Sequence, residues 1–152
     1  MFTPPEFHES RGVPREMLNN IYNCADLIVS TSVGEGWGLA TTEAFAAGTP
    51  VVVPDNTVFP EIVGENEERG YLAKSGSTTS EFSVAFSHSN YPRPLTNVES
   101  MVEKMELVKK DWIKGEYIGE TKEKIDAARR WAEEHTWEII NKQWIELFDG
   151  IK

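Results

Sequence analysis

The sequence predicts an α/β fold: a short parallel sheet of about three strands flanked by helices, with further helices at the C-terminal end. Three observations carry this. Two apolar runs, Leu27-Ile28-Val29-Ser30 and Pro50-Val51-Val52-Val53-Pro54, bracket a glycine-rich turn and a helix-like segment. A third run, Gly70-Tyr71-Leu72-Ala73, follows at a distance that leaves room for a second connection. The second half of the chain then shows apolar residues at helical spacing. Strand, turn, helix and strand form one βαβ unit with a right-handed crossover, and strands are expected near 27–31, 50–54 and 71–73.

Taken in order, residues 1–12 are polar, contain Pro4-Pro5 and lack periodicity, so they read as an extended or mobile lead. His8 in this lead reads as a surface residue. Pro14 suits the first turn of a helix to about Asn23, with Met17, Leu18, Ile21 and Tyr22 on its apolar face. Cys24 stands alone in the sequence, which excludes a disulfide framework, and reads as a buried thiol beside the first strand. A helix is expected to start near Ala40 or Thr41 and to end at Gly48 with a left-handed cap; Pro50 follows. Its Ala44, Phe45 and Ala47 are expected to pack on the sheet.

Pro54-Asp55-Asn56 reads as a turn at a strand's carboxyl end, with Asp55, Asn56 and Thr57 on its rim. A short helix begins at Pro60-Glu61 and runs to Val63. The acidic run Glu65-Asn66-Glu67-Glu68 reads as a solvated loop. In residues 76–96, Phe82, Val84 and Phe86 alternate with Ser83, Ala85 and Ser87, a strand pattern, before Tyr91-Pro92-Arg93-Pro94, and the segment reads as a hairpin or an oligomer contact. His88 in this segment has no evident partner. Helices follow at about 97–110, with Val98, Met101, Val102, Met105 and Val108 on one face, and at about 119–134. The tail from Thr136 to Phe148 carries Trp137, Ile140, Trp144, Leu147 and Phe148 as an apolar stripe that either packs on this domain or awaits a partner, and core packing is favoured over ligand binding.

Composition narrows the function. The 152 residues suit one domain better than two, and the net charge of −10, from 15 basic and 25 acidic residues, includes no basic block. That argues against nucleic acid and against a polybasic membrane surface. No apolar segment approaches transmembrane length and residues 1–12 lack a signal peptide's apolar core, so the expected location is cytoplasmic. Zinc-type Cys/His spacing, a P-loop, a nucleophile elbow and a catalytic triad are all missing.

The chemistry concentrates in Gly34-Glu35-Gly36-Trp37-Gly38-Leu39-Ala40-Thr41-Thr42-Glu43. Ligands of parallel α/β sheets collect at the strands' carboxyl ends, where this turn falls. Gly36 and Gly38 permit a tight turn and close approach to a ligand. The helix start offers free N–H groups to a phosphate or hydroxyl-rich anion. Glu35 is expected at the strand's end facing the crevice, and Glu43 about one helical turn in. Ionised carboxylates accept hydrogen bonds, so sugar or ribose hydroxyls are their natural partners. The structural alternative makes Glu35 a solvated loop residue and Glu43 a complement to the helix dipole.

The stretch EGWGLATTEAFAAGTPVVVP, with Glu35 and Glu43 eight positions apart, resembles the signature of the retaining glycosyltransferases of family 4, which have the GT-B fold. The similarity continues upstream through Leu18 to Ser32 and downstream through Phe59-Pro60-Glu61-Ile62-Val63-Gly64 and Gly70-Tyr71-Leu72-Ala73. It is good from Val13 to Ser75 and loose beyond. Trp37 stands where Phe is commoner and keeps an aromatic wall.

The resemblance implies that the chain is the latter part of a Rossmann-like, nucleotide-sugar-binding C-terminal domain. Residues 1–152 would form a single unit: the lead, a donor-binding core over 13–75, an insertion over 76–96, where the family usually crosses in fewer residues, and a helical part over 97–152. Glu35 would be the catalytic-site residue that holds donor-sugar hydroxyls. Glu43 would hold ribose hydroxyls, and the backbone of Gly36, Trp37, Gly38, Leu39 and Ala40 would face the sugar and diphosphate. The donor would be a nucleotide-sugar, used without a cofactor, and the acceptor is unspecified. The lack of Asp-x-Asp fits a metal-independent transferase. The family's diphosphate-binding Arg and Lys come from a segment upstream of the position of Val13, so the isolated chain is expected to be inactive. The alternative is a non-catalytic nucleotide-sugar-binding or assembly subunit that acts with a partner chain. An open sheet edge also favours a partner or self-association.

Overall fold

The computed structural model describes residues 12–76, 82–84 and 92–151. Val51, Val52 and Val53, with no accessible surface, make the middle of the molecule. They belong to β2 (Val51–Pro54), which lies between β1 (Ile28–Val29) and β3 (Tyr71–Ala73) in a parallel sheet of order β1-β2-β3. Ile28 pairs with Val51 and Val53 with Leu72. An unbroken apolar run is what a central parallel strand covered on both faces requires.

The two-residue period of the strand divides the core. Val51 and Val53 face a cluster with Tyr22, Phe45, Phe59, Ile62 and Ala128. These come from α1 (Arg15–Asn23), α2 (Leu39–Ala47), α3 (Phe59–Val63) and α5 (Gly119–Glu134). Val52 faces the other side, with Tyr71, Ala73, Met101 and Val108, where α4 (Val98–Lys110) lies. The expected α/β architecture is therefore present, with strands and helices close to their sequence-predicted bounds. Gly48 caps α2 in the left-handed conformation, φ 78°.

Residues 82–84 (β4) pair antiparallel with Pro92–Pro94 (β5), which makes the insertion a hairpin in its described part. An isolated bridge between Ser75 and Thr96 closes its base. His8, Phe86 and His88 lie outside the described residues. A second hairpin went unread in the sequence: β6 (Trp112–Ile113) and β7 (Glu116–Tyr117) turn through Lys114 and Gly115, both at positive φ. Two positive-φ residues suit the right-handed strand twist, and the cross-strand Trp112–Tyr117 ring pair at 4.5 Å supports it.

Four expectations are corrected. Cys24 is exposed, because it caps the end of α1 and its neighbour Tyr22 takes the buried position. The face of α4 that packs holds Ser100, Met101 and Val108, whereas Val98, Val102 and Met105 are exposed. Lys74 N–H donates to Ser100 Oγ at 3.0 Å, which turns this row of the helix towards β3. Glu67 is no free loop residue: it accepts from the Leu72 amide at 2.7 Å and pairs with Lys104 at 2.7 Å, and its carbonyl accepts from Lys124. Finally, α6 (Trp137–Gly150) buries no residue, and Trp137 is 80% exposed. Thr136 caps α6 as a new helix after α5, and Trp137, Ile140 and Trp144 line an open groove with α2 and α5. No helix among the described residues is long and apolar enough to cross a membrane.

Candidate functional site

The loops after β1, β2 and β3 meet at the sheet's carboxyl end, held by one side chain. Asn56 is 8% exposed, and its amide donates to Ser75 Oγ at 3.0 Å and to the Ser32 carbonyl at 3.4 Å. One residue thus ties all three strand-end loops together, a larger role than the turn former expected from the sequence. Next to it, Thr57 adopts φ 47°, a conformation that β-branched residues rarely take. Its hydroxyl accepts from the Glu35 amide at 3.2 Å, and Ser32 Oγ donates to the Glu35 carboxylate at 2.8 Å. The turn bearing Glu35 is therefore fixed by groups from two loops.

Gly38 opens α2 at φ 75°, and a Cβ there would meet the Phe59 ring at 3.1 Å. It has no side chain with which to cap the helix. The amides of Leu39 and Ala40 have no acceptor among the described residues, while those of Thr41 and Thr42 bond back to the Gly38 carbonyl. Gly36 differs: its φ is not positive and a Cβ there would meet nothing within 4 Å. No feature of the fold itself calls for glycine at that position.

A cavity of about 460 Å³ lies over this helix start, lined by Ser30, Glu35, Trp37, Gly38, Leu39 and Ala40 among others. Glu43 does not line it. Its Oε2 accepts from the Tyr22 hydroxyl at 2.7 Å, and it faces a larger groove of about 830 Å³ between α2, α5 and α6. Burial first, then the Glu43 hydrogen bond and charge, hold the Tyr22 hydroxyl well above the usual tyrosine range. Trp37 and Leu39 line both spaces and form the ridge between them. The structure thus brings Glu35, Trp37, Gly38, Leu39 and Ala40 together, sets Glu43 behind the ridge, and leaves Gly36 on neither lining.

Sequence reasoning missed Trp131. Its ring stacks on Trp37 at 6.3 Å and on His135 at 4.1 Å, and meets the edge of Phe45 at 6.0 Å. The spacing of Ala128, Trp131 and Ala132 on one face of α5 was the available signal. Arg93 was missed too: Tyr91-Pro92-Arg93-Pro94 was read only as the stretch that follows the strand pattern, and it holds β5. A Cβ built on Gly34 would lie 2.7 Å from its Nη1.

With this geometry in place, comparison with known proteins is informative. The family model described as Glycosyl transferases group 1 matches residues 7–85, just over half of the chain. The chain belongs to this family. An uncharacterized glycosyltransferase of Methanocaldococcus jannaschii is 29% identical over 133 residues, 88% of this chain and 27% of that protein. The poly(ribitol-phosphate) alpha-N-acetylglucosaminyltransferase of Staphylococcus aureus is 28% identical over 125 residues, 82% of this chain and 20% of its own length. The crystal structure of the GtfA/B complex aligns with a TM-score of 0.60 at 21% identity, over 87% of this chain and 22% of that one. This last likeness shows the shared fold. The chain spans less than a third of each of these relatives.

Proposed function

We propose that this group 1 chain is the donor-binding part of a retaining, family 4 type glycosyltransferase. It takes a nucleotide-sugar and contributes to transfer of the sugar to an acceptor of unspecified class. Residues 13–75 form the donor core and residues 97–152 its helical complement. The observation that carries the reading is the cavity at the end of β1, which sets the Glu35 carboxylate beside the free amides of Leu39 and Ala40. A carboxylate that accepts from sugar hydroxyls, next to N–H groups that favour an anion, matches the two ends of a sugar diphosphate.

In this reading Glu35 orients the sugar and the start of α2 stabilises charge developing on the leaving diphosphate. The leaving phosphate helps deprotonate the acceptor on the same face, which preserves configuration without a metal ion. Glu43 holds the ribose hydroxyls from beyond the Trp37–Leu39 ridge, and its bond from Tyr22 fixes the carboxylate for that task. The expected location is cytoplasmic.

Calorimetric titration of the chain with a set of nucleotide-sugars tests this. Affinity should fall about tenfold or more in Glu35→Ala and in Glu43→Ala, as for a lost charge-assisted hydrogen bond. A folded chain that binds no nucleotide-sugar overturns the reading. Alone, the chain should show little or no turnover with any acceptor.

A second reading, a non-catalytic subunit acting with a partner chain, is favoured by α6. Trp137, Ile145, Leu147 and Phe148 are all more than half exposed along this helix. A fold neighbour, GtfA/B, is also a complex. Co-purification of an active two-chain transferase would favour it over the first.

A further inference from the structure

The cavity proposed for the donor has an electrostatic deficit. Glu35 contributes a negative charge to its lining, and no Lys or Arg lies among the residues that form it. A diphosphate placed there is repelled by the carboxylate unless a cation stands close by.

The β4–β5 hairpin brings one. Arg93 of β5 is half-buried, and its guanidinium crosses the chain where Gly34 leads into Glu35. A Cβ on Gly34 would lie 2.7 Å from Arg93 Nη1 and 3.7 Å from Cζ, so the absence of a side chain is what admits the guanidinium. The Thr57 methyl lies 3.5 Å from the same point, and the Thr57 hydroxyl holds the Glu35 amide. Arg93, Thr57 and Glu35 therefore share one turn. Among the described residues the Arg93 guanidinium has no ion pair and no hydrogen bond, although its backbone lies in the β4–β5 ladder opposite Ser83. A partly desolvated guanidinium with no counter-charge is costly to keep, and its planar fork matches phosphate oxygens.

We propose that Arg93 is an anion-binding residue of the donor site, its guanidinium taking the diphosphate of the nucleotide-sugar over the Gly34–Glu35 turn. This rests on the donor-site reading above. It assigns to the hairpin a direct part in recognition: a strand from outside the βα core supplies the charge that the core's own lining lacks.

The test is NMR titration of the full chain with UDP, GDP and ADP and with the corresponding uncharged nucleosides, for wild type, Arg93→Gln, Arg93→Lys and Glu43→Ala. Arg93→Gln should weaken the preferred diphosphate by tenfold to a hundredfold and leave its nucleoside within about twofold. Arg93→Lys, which keeps the charge and loses the fork, should fall between Arg93→Gln and wild type. Glu43→Ala should weaken diphosphate and nucleoside alike. Equal diphosphate affinity in wild type and Arg93→Gln, with Glu43→Ala still weakened, overturns the role of Arg93 and spares the donor site. Equal losses on diphosphate and nucleoside in Arg93→Gln mark a structural role and likewise overturn it. No nucleotide bound by the folded wild type overturns the donor reading and this inference together.

Discussion

At the scale of single residues, the two glycines inside the motif separate folding from ligand contact. Gly38 is favoured by the backbone: its φ of 75° strains any residue with a side chain, and a Cβ would crowd the Phe59 ring at 3.1 Å. Gly38→Ala should lower stability by about 1–2 kcal/mol, the cost of a left-handed non-glycine residue plus a displaced ring. Gly36 has open space and no positive φ, so Gly36→Ala should stay within about 0.5 kcal/mol of wild type in a urea melt. If Gly36 serves close approach of a donor, the same variant loses nucleotide-sugar affinity while its melt is unchanged. Equal melts for both variants would show that the turn relaxes around Gly38 at no cost. The sequence pattern had grouped these glycines as equals. Their difference depends on where Phe59 falls, a contact that spacing along the chain cannot reveal.

At the scale of elements, legibility followed burial. The inner strands and α1, α2 and α5 were readable because each contributes a run or face to the core around β2, and their expected bounds lie close to those in the structure; β1, half-exposed, is shorter than expected, Ile28–Val29 against 27–31. The tail stripe was readable as a helix but not by its partner. Amphipathic periodicity records that an apolar face exists, and says nothing of whether this chain covers it. The same holds for Val98 and Val102 on α4, where the packing row was chosen by Ser100 and by the Lys104–Glu67 pair. In the site, the Glu35 turn was legible from its motif. The Glu43–Tyr22 bond and the Arg93–Gly34 contact were not, because each joins residues far apart in the chain.

These differences predict how the tryptophans respond. Trp131→Ala removes ring contacts with Trp37, Phe45 and His135 and should cost about 2 kcal/mol, less than a fully buried Trp because its site is partly open. Trp144→Ala, half-exposed on a helix with no fully buried residue, should stay within about 0.5 kcal/mol. Chemical denaturation of the two variants distinguishes them. Comparable losses would mean that α6 is integral to the fold in solution.

At the scale of the whole molecule, three tyrosine hydroxyls stitch separate parts of the chain. Tyr22 joins α1 to α2 through Glu43 at 2.7 Å. Tyr71 joins β3 to α5 through Thr121 Oγ1, also at 2.7 Å, with both residues buried. Tyr117 joins the β6–β7 hairpin to the carbonyl of Asp26, just before β1. All three hydroxyls have pKa values raised above the usual tyrosine range, chiefly by burial. An acid whose folded pKa is raised keeps its proton in the folded state while the unfolded chain releases it near pH 10. The stability it contributes is complete below about pH 10 and is lost as pH rises further. The loss can reach about 1.4 kcal/mol per pH unit for each tyrosine still protonated when folded. With a net charge of −10 at pH 7, each new phenolate also adds to self-repulsion. Urea melts should therefore show steady stability from pH 8 to 9.5 and a steep fall above pH 10. Tyr71→Phe isolates one contribution: at pH 8 it should be less stable by about 1–2 kcal/mol, because Thr121 is left without its partner. Above pH 10 that gap should narrow as wild type pays the ionisation cost that phenylalanine avoids. Parallel curves for wild type and Tyr71→Phe from pH 9 to 11 would show that the Tyr71 hydroxyl is not held protonated by the fold, and that alkaline unfolding begins elsewhere in the molecule.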